Sequence, residues 1–249
     1  MKLNPSTVLI TGANRGHGLE FVKQFLSLPS APKLLFATCR DFHTCLNLQE
    51  LIPHNPNLKV IKLDVDDEMS IKDAFKTVEG YLQGHGLNLL INNAGVLEEG
   101  GISDTTGDSM MRLFRTNAVG PFLVAQTFLP ALNRAAKLNP STGMSCNKAA
   151  IVNISSVVAC FDQNYNGSLY AYRCSKAALN MITKTLSVDL KDNLVLSVSL
   201  DPGWVQTDMA PMAHTLPRDR VHDMIKVMGV MNESSNGLFF HAEGFLIPW

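Results

Sequence analysis

The chain has 249 residues, of which 46% are hydrophobic and 17% charged, and its formal net charge is −1. That is too apolar for intrinsic disorder, and long enough to bury a core without disulfides or a structural metal. The near-neutral balance leaves no basic field to attract nucleic acid or an anionic membrane, so any phosphate recognition has to be local.

Thr7 to Thr11 is a short apolar run that predicts a first strand, cut off by a glycine cluster from Gly12 to Gly18. Apolar residues at 19, 21, 22, 25, 26 and 28 then recur at helical spacing until Pro29. Further strands are predicted at 34–38, 60–63, 87–91, 151–154 and 194–200. The last four are closed by Asp64, by Asn92-Asn93, by Ser155-Ser156 and by Asp201-Pro202-Gly203. Helical stretches fall at about 44–51, 68–82, 107–137 and 169–190, and Gly120-Pro121 predicts a kink in the third of these. Continuous apolar strands alternating with helices predict one α/β domain, a Rossmann fold with a doubly wound parallel sheet of about seven strands covered on both faces. Polar residues gather at the carboxyl ends of the strands, where open sheets of this kind bind ligands.

Residues 139–149 are rich in turn formers and predict a surface loop. Residues 208–222 lack clean periodicity, and a segment at about 205–225 is expected to cover the site. The amino-terminal residues show no signal-peptide pattern, and no segment approaches the ~20 apolar residues of a membrane span, which predicts a cytoplasmic protein. Five scattered cysteines form no CxxC pair and no zinc spacing, so reduced thiols are expected, with Cys160 and Cys174 buried and inert. The seven histidines show no metal spacing either.

Thr11-Gly12-Ala13-Asn14-Arg15-Gly16-His17-Gly18 joins the first strand to the first helix. Uncapped N–H groups and the partial positive charge of a helix N-terminus suit a pyrophosphate, and glycines let the backbone approach it. The spacing is GxxxGxG rather than the GxGxxG of the dinucleotide fingerprint. Tyr172 and Lys176 lie four residues apart in a predicted helix, hence on one face. A free phenol titrates near ~10, and a neighbouring ammonium is expected to lower that value and make Tyr172 a usable proton relay. Tyr165 and Tyr170 have no lysine four residues on.

In these motifs the chain resembles the short-chain dehydrogenase/reductase family, from about residue 6 to 209. The matching residues are Thr11, Gly12, Gly16 and Gly18 in the turn; Asp64-Val65 after the third strand; and Asn92-Asn93-Ala94-Gly95 after the fourth. Asn117, the Ile154-Ser155-Ser156 segment, Tyr172-Arg173-Cys174-Ser175-Lys176, and Pro202, Gly203, Val205 and Thr207 follow in order. The resemblance implies a catalytic set of Asn117, Ser156, Tyr172 and Lys176. It implies a cofactor cradle of Gly12, Asn14, Arg15, Gly16, Gly18, Arg40, Asp64, Val65, Asn93, Ala94, Gly95, Tyr172, Lys176, Pro202, Gly203, Val205 and Thr207. Ser155 is the neighbour to be distinguished from Ser156, a capping serine is the plainer reading of Ser156, and Asn117 could simply bond nearby backbone.

The second strand ends in Arg40 instead of the acidic residue that holds a ribose 2′-hydroxyl, and Arg15 is a second cation beside it. Guanidinium forks suit a 2′-phosphate, so the cofactor expected from the resemblance is NADP(H), although Arg40 could also be an ordinary surface arginine ahead of Asp41. The stretches 170–176, 186–190 and 202–209 are most similar to sniffer-type carbonyl reductases. That likeness implies reduction of an aldehyde, ketone or quinone, a small-molecule carbonyl substrate, and no nucleic-acid or membrane partner; homo-oligomers occur in the family. Two alternatives stand beside it: an alcohol dehydrogenase working oxidatively on a steroid, retinoid or xenobiotic, and a nucleotide-sensing protein without turnover. Extra residues at 161–167 lengthen the interval from Ser156 to Tyr172 and are expected to bulge near the substrate.

Overall fold

The computed structural model describes residues 2–138 and 143–249. Seven parallel strands form one sheet: β1 (Thr7–Ile10), β2 (Leu34–Cys39), β3 (Leu58–Lys62), β4 (Leu89–Asn92), β5 (Ala150–Ile154), β6 (Leu196–Asp201) and β7 (Phe239–His241). Their order across the sheet is β3-β2-β1-β4-β5-β6-β7, as expected of a doubly wound Rossmann fold. β7 adds a seventh strand of three residues, too short to show a period.

Alternation along the strands sends the apolar side chains to opposite faces. Val8 and Ile10 of β1 pack with Phe21 and Phe25 of α1 (Gly16–Leu26), beneath a second helix, α7 (Pro217–Val230). Leu9 points the other way, into a layer with Ile71 and Val78 of α3 (Glu68–Leu82) and Val124, Phe128 and Leu132 of α5 (Gly120–Leu138). Phe128 is fully buried and meets Phe75 edge-on at 5.2 Å between ring centres. Burial of a side chain that size stabilises the fold by roughly 2–3 kcal/mol.

The segment 42–54 forms short turns and one brief helix, α2 (Leu46–Gln49). The helical stretch predicted at 107–137 is three pieces: α4 (Gly107–Phe114), one wide π-turn at Arg115–Val119, and α5. The bend therefore sits just before Gly120-Pro121. α6 (Tyr170–Asp189) carries the YxxxK pair.

Two expectations are corrected. Residues from Pro217 on are not an irregular cover but the start of α7, whose Val221, Met224, Ile225 and Met228 are buried; only the stretch up to Leu216 remains irregular. Cys39 and Cys45 are joined in a disulfide, because the chain turns back over Asp41 after β2 and brings the two together. Cys146 and Cys160 are buried free thiols, and Cys174 is exposed rather than buried. Of the predicted 139–149 loop, residues 139–142 lie outside the described residues.

Candidate active site

A cavity of about 1260 Å³ runs along the carboxyl edge of the sheet, across the crevice between β1 and β4 where the strand order reverses. Its walls come from the glycine turn, the end of β2, the segments after β3, β4, β5 and β6, and the first turn of α6.

At one end the glycine turn is lashed to the residues after β4. Thr11 Oγ1 accepts from the N–H groups of Asn93 and Ala94, both at 3.0 Å. Asn93 Nδ2 donates to the carbonyls of Thr11 and Gly12. A Cβ on Gly18 would lie 2.2 Å from Gly12 O, so only glycine lets the helix start this close to the strand. Gly12 has φ +63 and faces Ala94 at similarly short range. The α1 N-terminus has neither a capping side chain nor an acidic residue in its first turn, whereas α3 is capped by Asp67 and α4 by Thr106. His17, one residue into the helix, has a buried Nε2 without a hydrogen-bond partner, and burial pushes its pKa down to about 4. A neutral imidazole and open N–H groups face the cavity, a donor set that fits a pyrophosphate.

Asn14, Gly16, Asp64, Val65 and Gly95 line the same end. Arg40 is exposed at the end of β2 and lines the cavity beside Asp41. Arg15 is held across the cavity mouth by Asp208, 2.7 Å from Nη1 to Oδ2. Asn93 acts on the fold through its side chain and on the cavity through its position, which makes it a strut of the cradle.

At the other end stand the four residues of the expected catalytic set. Ser156 caps the short turn Val157–Ala159, and its side chain faces the Tyr172 hydroxyl closely enough to favour the phenolate. Ser155 is turned inward, its Oγ 2.6 Å from Asn180 Oδ1, whereas Ser156 lines the cavity. Lys176 is 5% exposed; its Nζ donates to Ile154 O at 2.8 Å and lies 5.8 Å from the centre of the Tyr172 ring. Asn117 sits in the π-turn, fully buried. Its amide pairs both ways with the backbone of Val96, at 2.9 and 2.8 Å, and Nδ2 also reaches Ser175 Oγ. The backbone-bonding role left open for Asn117 is thus present, and it ties the segment after β4 to α6.

The expected lowering of the phenol is not seen in the protein alone. Burial, and then the Asp201 carboxylate, push Tyr172 up to about 12, against a smaller opposite effect from Ser156. Burial likewise brings Lys176 down to about 8. Tyr172 is therefore a protonated phenol at neutral pH.

Pro202, Gly203, Val205 and Thr207 line the cavity opposite Tyr172, followed by Met209 and Met212. Of the 161–167 segment, Phe161 and Tyr165 stand exposed, while the flanking Val158 and Leu169 line the cavity. Among the described residues, no three His, Cys, Asp or Glu side chains gather as they would around a metal ion, and no helix is long and apolar enough to cross a membrane.

The family pattern described as short chain dehydrogenase matches residues 6–216 of this chain. The chain belongs to that family. A short-chain dehydrogenase fold is also what the solved structures show. An NADPH-bound carbonyl reductase from chicken fatty liver is 41% identical, with a TM-score of 0.95, over 99% of this chain and 100% of that one. The carbonyl reductase Sniffer of Drosophila melanogaster is 36% identical, with a TM-score of 0.97 and the same coverage. Among curated relatives, the C-signal protein of Myxococcus xanthus is 38% identical across 66% of this chain and 93% of its own length.

Sequence reasoning passed over two buried residues of this short-chain dehydrogenase site. Thr11 was only a motif letter, yet its hydroxyl joins two strands' ends. Asp201 was a strand terminator, yet it is 1% exposed and close enough to act on both Tyr172 and Lys176. A carboxylate at the last position of an apolar strand was the available signal.

Proposed function

We propose that the chain reduces a small-molecule carbonyl to the alcohol with NADPH. The observation that carries this reading is Tyr172, a protonated phenol facing Ser156, at the far end of a cavity whose near end is a glycine turn with Arg15 and Arg40. The likeness to the chicken and Drosophila carbonyl reductases supports it. The glycine turn, Asp64, Val65, Ala94, Gly95 and the Pro202–Thr207 segment would hold the cofactor. When bound, the nicotinamide supplies the hydride.

Reduction adds that hydride to the carbonyl carbon and a proton to its oxygen. Ser156 and Tyr172 donate hydrogen bonds to the oxygen as negative charge develops on it. The Tyr172 Oη proton then passes to that oxygen. Lys176, held by Ile154 O, stands beside the phenol and would bind the nicotinamide ribose, and Asn117 fixes the backbone at Val96 that walls the same space. At neutral pH Tyr172 holds the proton that reduction requires, whereas the oxidative alternative needs the same group ionised. An intact proton relay also argues against a sensor without turnover. A cytoplasmic location belongs to this proposal.

The test is loss of NADPH absorbance with quinones, aldehydes and ketones, for the protein and its Tyr172→Phe variant, with NADH alongside. Turnover with NADPH that Tyr172→Phe abolishes is the expected result. NADPH binding without turnover in either direction would overturn the reading in favour of a sensor.

A further inference from the structure

Asp201 is the last residue of β6 and is paired in register with His241 of β7. Asp201, Val157, Gly203 and His241 line one small cavity together, and the backbone N–H groups of Gly203 and Val157 face the carboxylate and favour its charged form. The first belongs to the Pro202–Gly203 turn that walls the cavity. The second follows Ser156 directly. One buried side chain thus links the loop after β5 to the loop after β6.

Its Oδ2 makes no hydrogen bond and lies 3.9 Å from His241 Nε2. The His241 ring is stacked on Phe245 at 4.4 Å, and its Nδ1 accepts from Glu243 N, which leaves the proton of the neutral ring on Nε2, aimed at Asp201. The same Nε2 would be 3.1 Å from a Cβ on Gly203, so the ring also supports the turn from below. The charged and titratable groups around Asp201 are Tyr172 and Lys176 on α6, His241 on β7, and Arg220 on α7, which is itself paired with Glu243 at 2.8 Å.

We infer that Asp201 is a positioning residue for the Ser156–Tyr172 pair: it holds the Ser156 loop and the Pro202–Gly203 turn at a fixed separation and places one negative charge beneath the phenol, with His241 as its partner from β7. Burial raises the Asp201 pKa, while the two N–H groups, His241 and Arg220 draw it back. This inference rests on the reductase reading for its kinetic consequence, but its electrostatic part can be measured on the protein alone.

The experiment compares Asp201→Asn and Asp201→Ala with the unaltered chain. Asn keeps an accepting oxygen and loses the charge; Ala loses both. The tyrosinate absorbance of Tyr172, taken as the difference between each protein and its Tyr172→Phe counterpart, is expected to rise about one pH unit lower in Asp201→Asn. The alkaline limb of the kcat profile for carbonyl reduction is expected to move down with it, with the substrate KM unchanged. Asp201→Ala is expected to lose a further tenfold or so in kcat, a loss that Asn rescues. A tyrosinate titration in Asp201→Asn that superimposes on the unaltered protein overturns the inference, as does full kcat in Asp201→Ala. If Asp201→Ala does not fold, the Asn titration decides alone. If the unaltered protein reduces no carbonyl, the reductase reading fails, and the titration still tests Asp201.

Discussion

Arg15 and Asp208 form an ion pair at 2.7 Å that bridges the cavity mouth, joining the glycine turn to the segment after the Pro202–Gly203 turn. Both side chains are more than half exposed, so the pair itself contributes little to stability. Its consequence lies in competition: the guanidinium that would meet a 2′-phosphate is already engaged by a carboxylate. Asp208→Asn is therefore expected to tighten NADPH binding by up to about fivefold at low salt, the worth of one exposed ion pair, and less at high salt. Fluorescence titration with NADPH checks this, and weaker binding in the variant would contradict it.

Arg40 is expected to discriminate between the two nicotinamide cofactors. It stands at the β2 end where an acid would favour NADH. Arg40→Asp is expected to weaken NADPH binding far more than NADH binding, and to move the ratio of the two dissociation constants by tenfold or more. Equal losses for both cofactors would remove Arg40 from the phosphate site.

His17 links stability to acid. Burial holds its folded pKa at about 4 against an ordinary 6.5. Protonation is thus harder in the folded chain than in the unfolded one. Stability is therefore complete above 6.5 and falls as pH drops toward 4, by about 3 kcal/mol for this group. Urea unfolding across that window should show a shallower pH slope for His17→Gln than for the unaltered protein. Parallel slopes would mean that His17 is solvated.

Two glycines in helices should respond oppositely to alanine. Gly18→Ala places a methyl group 2.2 Å from Gly12 O and is expected to destabilise the fold by about 1–3 kcal/mol and to weaken NADPH binding with it. Gly80, inside α3, has open space around it, and Gly80→Ala is expected to gain up to about 1 kcal/mol. Thermal melts of both variants check the contrast.

The sheet, and the edge of it along which the cavity lies, could be read from the strands, because a parallel sheet buried on both faces writes them as largely apolar runs and gathers polar residues where they finish. Leu89–Asn92 is of that kind. β7 was not legible: three residues, Phe239–His241, have no period, and their pairing depends on β6. α7 was obscured for another reason. Its buried spacing of Val221, Met224, Ile225 and Met228 is regular, but the irregular run before Pro217 masked where it begins. The Cys39–Cys45 bridge and the role of Asp201 depend on where the chain turns back, which no local pattern encodes. The phenol of Tyr172 was misjudged because a sequence shows the lysine four residues on, and does not show the burial or the carboxylate that outweigh it.

The π-turn at Arg115–Val119 holds one more residue per turn than the helices on either side. Its surplus makes the rotational phase of α5 a property of the catalytic neighbourhood. Removing a single residue there would swing α5 by about 100°, carrying Val124, Phe128 and Leu132 away from the sheet while pulling Asn117 off Val96. No small edit at this bend can leave one of those arrangements intact and alter the other, so the aim of a polar side chain and the seating of a whole helix are inherited together.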